Sequence, residues 1–175
     1  ERCIALYGVE GATLQKIAEE AGIARPLLRH HVGNSQDLLD QAVTSFIARS
    51  EKDMADFMAL KINKPDIFLD YLFRPEYSSD KLHNDSMIAS ALIMAASNSP
   101  DIKAKMTRWL DMITCGFENC LSQIFPKADE SLVKIVTAGI LGIYFNVEAL
   151  VPIEDSAKLR NNSHLAAQKL LSLLN

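Results

Sequence analysis

Residues 13–32, with the sequence TLQKIAEEAGIARPLLRHHV, decide how this chain folds at its amino-terminal end. Apolar residues recur there at spacings of three and four: Leu14, Ile17, Ala18 and Ala21. This period predicts a short helix with one inward face. Thr13 stands where a helix is capped. Gly22 follows the last periodic residue and is predicted to end the helix in the left-handed conformation, which glycine adopts without steric cost.

A second helix is predicted over residues 25–32, with Pro26 in its first turn and with Leu28 and Val32 facing inward. Two short helices joined by a tight turn with glycine are typical of a helix-turn-helix. The outward side chains include donors and an apolar tip but no acid, which suits a major groove where arginine binds guanine or phosphate. We predict that these residues contact DNA: Thr13, Arg25, Pro26, Leu27, Arg29, His30 and His31.

Residues 3–47 resemble the DNA-binding region of TetR-type transcriptional repressors. The run IAEEAGIARPLLRHHVGNSQDLL is similar to that family's pattern IAxxAGVSxGTLYxHFxSKExLL. The resemblance implies a repressor that is released from its operator by a small molecule bound in the carboxy-terminal domain. Some positions depart from the pattern, where the family usually has serine, glycine, threonine, tyrosine and lysine: Ala24, Pro26, Leu27, Arg29 and Ser35. The operator sequence therefore cannot be transferred from the family.

The composition indicates a helix-rich globular chain, because 49% of its 175 residues are apolar and it has 7 glycines and 6 prolines. A net charge of −4 argues against a protein that coats nucleic acid without specificity. Residues 1–36 carry four Lys or Arg and four Glu, which sum to zero. Without an apolar run near the ~18 residues of a membrane span, we expect no membrane association. Three cysteines and no secretory signal predict a cytoplasmic protein with its cysteines packed in the core.

The predicted fold is all-α, with a helix-turn-helix domain over residues 1–46 and an effector-binding and dimerisation domain over residues 47–175. A long helix that Ser35 would cap runs to about Leu60 and is expected to join the two. The chain begins at Glu1 in mid-helix without a start methionine, so we expect that an amino-terminal piece precedes it. Tyr7 is predicted to face the core, and residues 76–84 to form a polar turn.

The carboxy-terminal helices carry the predicted effector site and dimer interface. Inward aromatic and Met positions, with two polar anchors, are the effector candidates: Phe68, Tyr71, Met87, Trp109, Phe117, Tyr144, Asn146 and Glu148. They would suit a hydrophobic or amphipathic ligand. Small residues and a stripe on the last helix, after a turn at Val151 and Pro152, are the dimer candidates: Gly139, Gly142, Leu159, Ala166 and Leu170. A homodimer would bind a pseudo-palindromic operator of double-stranded DNA.

Two other classes of function remain open. Glu148, Asp111 and His83 could in principle share a catalytic cavity, although no nucleophile motif or phosphate loop accompanies them. The chain could also be a helical homodimeric ligand-binding module that no longer reads DNA, which the weak positive charge of residues 1–36 would permit. The histidines are scattered, so no metal site is predicted, and no cofactor is expected. We expect a DNA-binding regulator and not an enzyme.

Overall fold

The computed structural model describes residues 1–73, 80–150, 153 and 157–175, and for residues 80–84 only the backbone. Every regular element within these ranges is helical, so the all-α prediction is confirmed. The elements are α1 (Arg2–Gly11), α2 (Leu14–Ala21), α3 (Arg25–Val32), α4 (Ser35–Ala59), α5 (Pro65–Phe73), α6 (Asp80–Ala96), α7 (Pro100–Ile124), α8 (Glu130–Leu150), α9 (Ala157–Leu171) and a final 3₁₀ turn (Ser172–Leu174).

The chain divides into two compact units. The first comprises residues 1–51 and 84–109, and the second comprises residues 52–83 and 110–175. Helices α4 and α7, each of 25 residues, contribute to both units. Helix α4 is thus the long helix that was predicted to join the amino-terminal region to the rest of the chain.

Helix α1 differs from the prediction at its inward face. Gly8 interrupts the helix with a φ of +68°, close to the predicted end. Tyr7 is 51% exposed, and the Lys16 ammonium lies 4.1 Å from its ring centroid. The expectation that Tyr7 faces the core is wrong, because a tyrosine ring can bind a cation on its face while its hydroxyl stays in water. Ile4 and Ala5, which the same pattern places in the core, are buried, and so is Cys3.

Helix α4 is capped by Asn34 and not by Ser35. The Asn34 Oδ1 atom accepts hydrogen bonds from the backbone N–H groups of Gln36 (2.7 Å) and Asp37 (3.1 Å). In return, Asp37 Oδ2 accepts one from the Asn34 N–H at 2.9 Å. This reciprocal arrangement is a capping box, which satisfies amide donors at the helix start. Ser35 is therefore the first residue inside the helix.

Ion pairs hold parts of α6 and α7 against α4 within the first unit. Lys105 Nζ lies 2.9 Å from Asp40 Oδ1 and 2.9 Å from Asp101 Oδ2. The hydrogen bonds to Asp40 and then to Asp101 raise the pKa of Lys105. Arg49 pairs with Glu1 and, at 2.6 Å, with Asp85. These ion pairs therefore connect residues 84–109 to the amino-terminal helices.

The second unit has a large apolar core in which α5 and α8 pack with α9. Its residues Leu69, Leu121 and Val136 are completely enclosed. The buried residues of helix α9 are Arg160, Ala167 and Leu171. None of them lies on the stripe of this helix that was predicted to form the dimer interface. Arg160 Nη1 lies 3.3 Å from Glu148 Oε1, and both side chains are 4% exposed. A buried guanidinium is tolerated there because a carboxylate compensates its charge.

The structure differs from three further predictions. Residues 80–84, expected in a turn, are the first residues of α6, while residues 76–79 and the turn at Val151 and Pro152 lie outside the described residues. Cys3 and Cys120 are buried, but Cys115 is exposed, so its predicted core position is wrong. Among the described residues, α8 alone is long and apolar enough to span a membrane, contrary to the expected absence of such a run. That is weak evidence of a span, because core helices meet the same criteria.

Candidate nucleic-acid interface

The turn between α2 and α3 is built by local hydrogen bonds. Thr13 caps α2, its hydroxyl oxygen accepting from the Lys16 N–H at 3.3 Å. Gly22 ends α2 with φ +66° and ψ +27°. Its N–H donates to the Glu19 carbonyl at 3.1 Å, and the N–H of Ile23 donates to the Ala18 carbonyl at 3.0 Å. These two bonds form a Schellman motif, which satisfies the carbonyls at the end of α2 and redirects the chain into α3.

Helix α3 is fixed to α2 by one small apolar core. Leu14, Ala18 and Leu28 are buried together, with Ile17 and Val32 packed at their edge. Leu28 is the single fully buried residue of α3. A helix of eight residues held by so few inward side chains leaves most of its surface in water.

The predicted DNA-contacting side chains lie together on this exposed surface. All six α3 candidates are exposed: Arg25, Pro26, Leu27, Arg29, His30 and His31. The two histidine rings lie edge to face with centroids 5.5 Å apart. Arg25 and Arg29 form no ion pair with any residue in the described part of the chain, so both guanidinium groups are free for phosphate or base contacts.

Thr13 is also exposed, next to the start of α2. Its hydroxyl oxygen accepts the capping hydrogen bond, and its O–H group can still donate, for instance to a phosphate oxygen. The nearby acids of α2 are partly engaged within the chain. Glu20 lies 3.1 Å from the Arg2 guanidinium, and Glu19 accepts a 2.7 Å hydrogen bond from Gln15.

Comparisons with known proteins show a likeness to solved structures. No family model matches the chain, and no curated protein matches it either. The crystal structure of a TetR transcription regulator from Haloarcula marismortui ATCC 43049 matches with a TM-score of 0.72, over 98% of this chain and 92% of that chain. The chain has the TetR fold. The sequence identity is 15%, so the likeness is one of fold.

The effector candidates are distributed over both units of this TetR fold. Met87 and Trp109 belong to the first unit, where Trp109 is buried with its ring centroid 5.5 Å from that of Phe46. In the second unit, Phe68, Tyr71 and Phe117 surround Phe57, with ring centroids 4.8 to 6.4 Å from it. Sequence reasoning missed Phe57 at the centre of this group, although its place on the apolar pattern of α4 was visible.

The remaining effector candidates lie on α8. Tyr144 is half-buried, and its ring centroid lies 6.5 Å from that of Phe73. Asn146 is exposed. Glu148 is buried, and its Oε2 atom has no hydrogen-bond partner. No bound molecule is present to test any of these residues, so the effector site stays a prediction.

The dimer candidates divide into packed and exposed residues. A Cβ atom on Gly139 would lie 2.8 Å from the Leu170 Cδ1 atom, so these two residues mark a close approach of α8 and α9 within one chain. Leu159 also packs against the core of the second unit. Gly142 and Ala166 are exposed, and a Cβ on Gly142 would meet nothing within 4 Å. Their role in a dimer stays a prediction.

Proposed function

We propose that this protein is a DNA-binding transcription regulator, a repressor that a small-molecule effector releases from its operator. The observation that carries the proposal is the exposed surface of α3, where two unpaired arginines and two histidines stand beside an apolar tip with no acidic side chain. The buried Leu28 anchors this helix to α2 and leaves the opposite side open. A helix of this width fits a DNA major groove.

The protein acts as a homodimer on a pseudo-palindromic operator in this proposal. An exposed stripe of small and apolar residues follows α8 at spacings of three, four and seven: Ile135, Ala138, Gly142 and Ala149. On α9, Leu165 and Leu173 are 57% and 53% exposed. Apolar surface of this kind on two adjacent helices is stabilised when a second copy covers it. Two recognition helices related by a two-fold axis then contact two half-sites.

The proposed effector is hydrophobic or amphipathic and binds in the second unit. The aromatic group around Phe57 supplies apolar surface, and half-buried Tyr71 is the member nearest to solvent. The free Glu148 Oε2 atom is a buried acceptor that a ligand donor could satisfy. A buried acceptor without a partner costs ~1–3 kcal/mol, so a donor placed there gains affinity.

Selection from a pool of random-sequence duplexes tests the DNA-binding part of the proposal. The expected result is enrichment of one inverted-repeat sequence that the protein binds at least about a thousandfold more tightly than random DNA. The Arg25→Ala, Arg29→Ala double variant, which changes exposed positions only, should enrich no sequence. Enrichment of nothing by the wild type would favour the ligand-binding module that does not read DNA.

A thermal-shift screen of apolar and amphipathic small molecules tests the effector part. A hit should raise the midpoint of unfolding and weaken operator binding about five- to 150-fold. Glu148→Gln keeps the size of the side chain and should reduce the shift for ligands that carry a donor. A molecule that stabilises the protein without changing operator affinity would contradict release by an effector.

A further inference from the structure

We propose that Leu27 determines part of the operator sequence by packing against the 5-methyl group of a thymine. The proposal rests on the proposed function and goes beyond it, because it assigns one side chain to one chemical group of one base. Its test can therefore separate a wrong assignment of Leu27 from a protein that does not bind DNA.

The register of α3 puts Leu27 on its outward surface. Successive side chains of an α-helix are about 100° apart. Buried Leu28 and half-buried Val32 mark the inward side, so His30 lies opposite to them and Pro26 and Leu27 lie to either side of His30. Arg25 and Arg29 occupy one edge of the same surface and His31 the other. His30 thus stands at the centre of the outward surface with the apolar Pro26 and Leu27 beside it, and the edges carry donors.

Leu27 is 47% exposed, and Ile23, four residues earlier, is 37% exposed. Both side chains are exposed to water in the free protein, and neither belongs to the small core around Leu28. Exposed leucine on a helix that enters a groove loses water when it meets an apolar group of the DNA. In the major groove that group is the thymine methyl, since the other base edges present hydrogen-bond donors and acceptors.

The side chains missing from α3 strengthen the assignment. Adenine is usually bound in the major groove by the amide of Asn or Gln, and α3 contains neither. Its arginines match guanine, and its histidines can donate to guanine or accept from other bases. An A·T pair facing the middle of α3 is therefore best distinguished from a G·C pair by its methyl group. Of the apolar side chains there, Leu27 can rotate to meet that methyl, whereas the ring of Pro26 cannot.

The experiment uses the duplex selected by the full chain. Each thymine of one half-site is replaced in turn by deoxyuridine, which removes the methyl and keeps the base pair. Affinities are measured by fluorescence anisotropy at one fixed salt concentration, since affinities for DNA depend steeply on salt. Wild type is compared with Leu27→Ala and with the control Leu110→Ala, whose leucine is similarly exposed (45%) on α7.

We expect one or two thymines per half-site at which deoxyuridine weakens wild-type binding roughly fourfold, the value for one buried carbon. Leu27→Ala should bind the thymine and deoxyuridine duplexes equally, and Leu110→Ala should behave like wild type. Circular dichroism should show unchanged helix content, because alanine is a good helix former. Equal wild-type affinity for all the duplexes would overturn the assignment.

If deoxyuridine weakens the binding of Leu27→Ala as much as that of the wild type, the assignment of Leu27 is also overturned. The methyl contact would then be assigned to Pro26 or Ile23. A protein that selects no sequence at all would overturn the proposed function itself, and this inference with it.

Discussion

Arg29 is an exposed cation on α3, one turn after Arg25, and makes no ion pair in the described ranges. Its guanidinium offers up to five donors, which suits guanine or phosphate. Because the Arg29 side chain contributes nothing to the core, its removal should lower the affinity for DNA and not the stability of the fold. The pattern of TetR-type repressors usually has a tyrosine at the position where this chain has Arg29.

We expect Arg29→Ala to weaken operator binding by ~1–3 kcal/mol, about five- to 150-fold, through loss of one base or phosphate contact. The free energy of unfolding should change by less than about 0.5 kcal/mol. Anisotropy titrations at fixed salt and urea denaturation measure the two quantities. Arg108→Ala, which removes an exposed arginine from α7, is the control. Equal losses for both variants would indicate a general effect of charge.

Cys120 is a second residue whose surroundings make a measurable prediction. Burial raises the pKa of its thiol from 9.0 to about 11, whereas Cys115 is exposed. At about pH 8 the Cys120 thiolate fraction is then about a hundredfold smaller than for an unshifted thiol. Iodoacetamide should therefore label Cys115 quickly, and Cys115→Ser should abolish rapid labelling of the folded protein. Rapid labelling of Cys120 in that variant would contradict its burial.

The same thiol has a pH dependence of stability whose sign can be derived. The folded state keeps the Cys120 proton to a higher pH than the unfolded state, so the unfolded state loses its proton first as pH rises. The stability present below about pH 9 should fall as the pH rises to about 11, by roughly 2–3 kcal/mol for two pKa units. Cys120→Ala should remove this part of the alkaline loss, which urea titrations at several pH values would measure.

At the scale of elements, α8 carries two glycines with opposite surroundings. Gly139 lies against Leu170 of α9 in the same chain, and a Cβ there would be 2.8 Å from the Leu170 Cδ1 atom. Gly142, three residues later, has no atom within 4 Å of a Cβ position. Gly139 admits α9, whereas the space beside Gly142 is open within one chain and would receive the second copy in the proposed homodimer.

Gly142→Leu should weaken the proposed homodimer and leave the folded monomer intact, because a Cβ atom there has open space around it and leucine favours a helix by up to about 1 kcal/mol. Gly139→Leu should instead lower the stability of the monomer, since overpacking against Leu170 costs ~1–3 kcal/mol. Sedimentation and urea denaturation distinguish the two outcomes. A wild-type monomer at micromolar concentration would end the dimer proposal.

At the scale of the whole molecule, the proposed homodimer would present its two α3 helices at one separation. Each α3 is short, with a single fully buried residue, so one copy offers few base contacts. Affinity and specificity then depend on both half-sites being contacted together.

Insertion of about five base pairs between the selected half-sites turns one of them by half a helical turn. We expect operator affinity to fall to near that of a single half-site. Insertion of about ten base pairs returns the two half-sites to the same face of the duplex, so its effect on affinity should differ from that of the five-base-pair insertion. Electrophoretic mobility shifts with the three duplexes measure this. Equal affinity for all three spacings would show that the half-sites are bound independently.

The local structure of residues 13–32 is determined by the sequence alone. The cap at Thr13, the left-handed turn at Gly22 and the inward position of Leu28 follow from interactions within a few residues, and all three are confirmed. Helix α4 was likewise recognisable from the apolar pattern that begins at Leu38. Capping and periodicity are local, so they can be read without knowing what surrounds a helix.

The tertiary structure decided which apolar and polar residues are covered. Tyr7 is exposed beside Lys16, and Cys115 is exposed while Cys120, on the same helix, is buried. Residues 84–109 join the amino-terminal unit through contacts such as Asp40 with Lys105, which are 65 positions apart. Burial is set by whatever packs against a side chain, and those partners are distant in the chain, so no local pattern determines it.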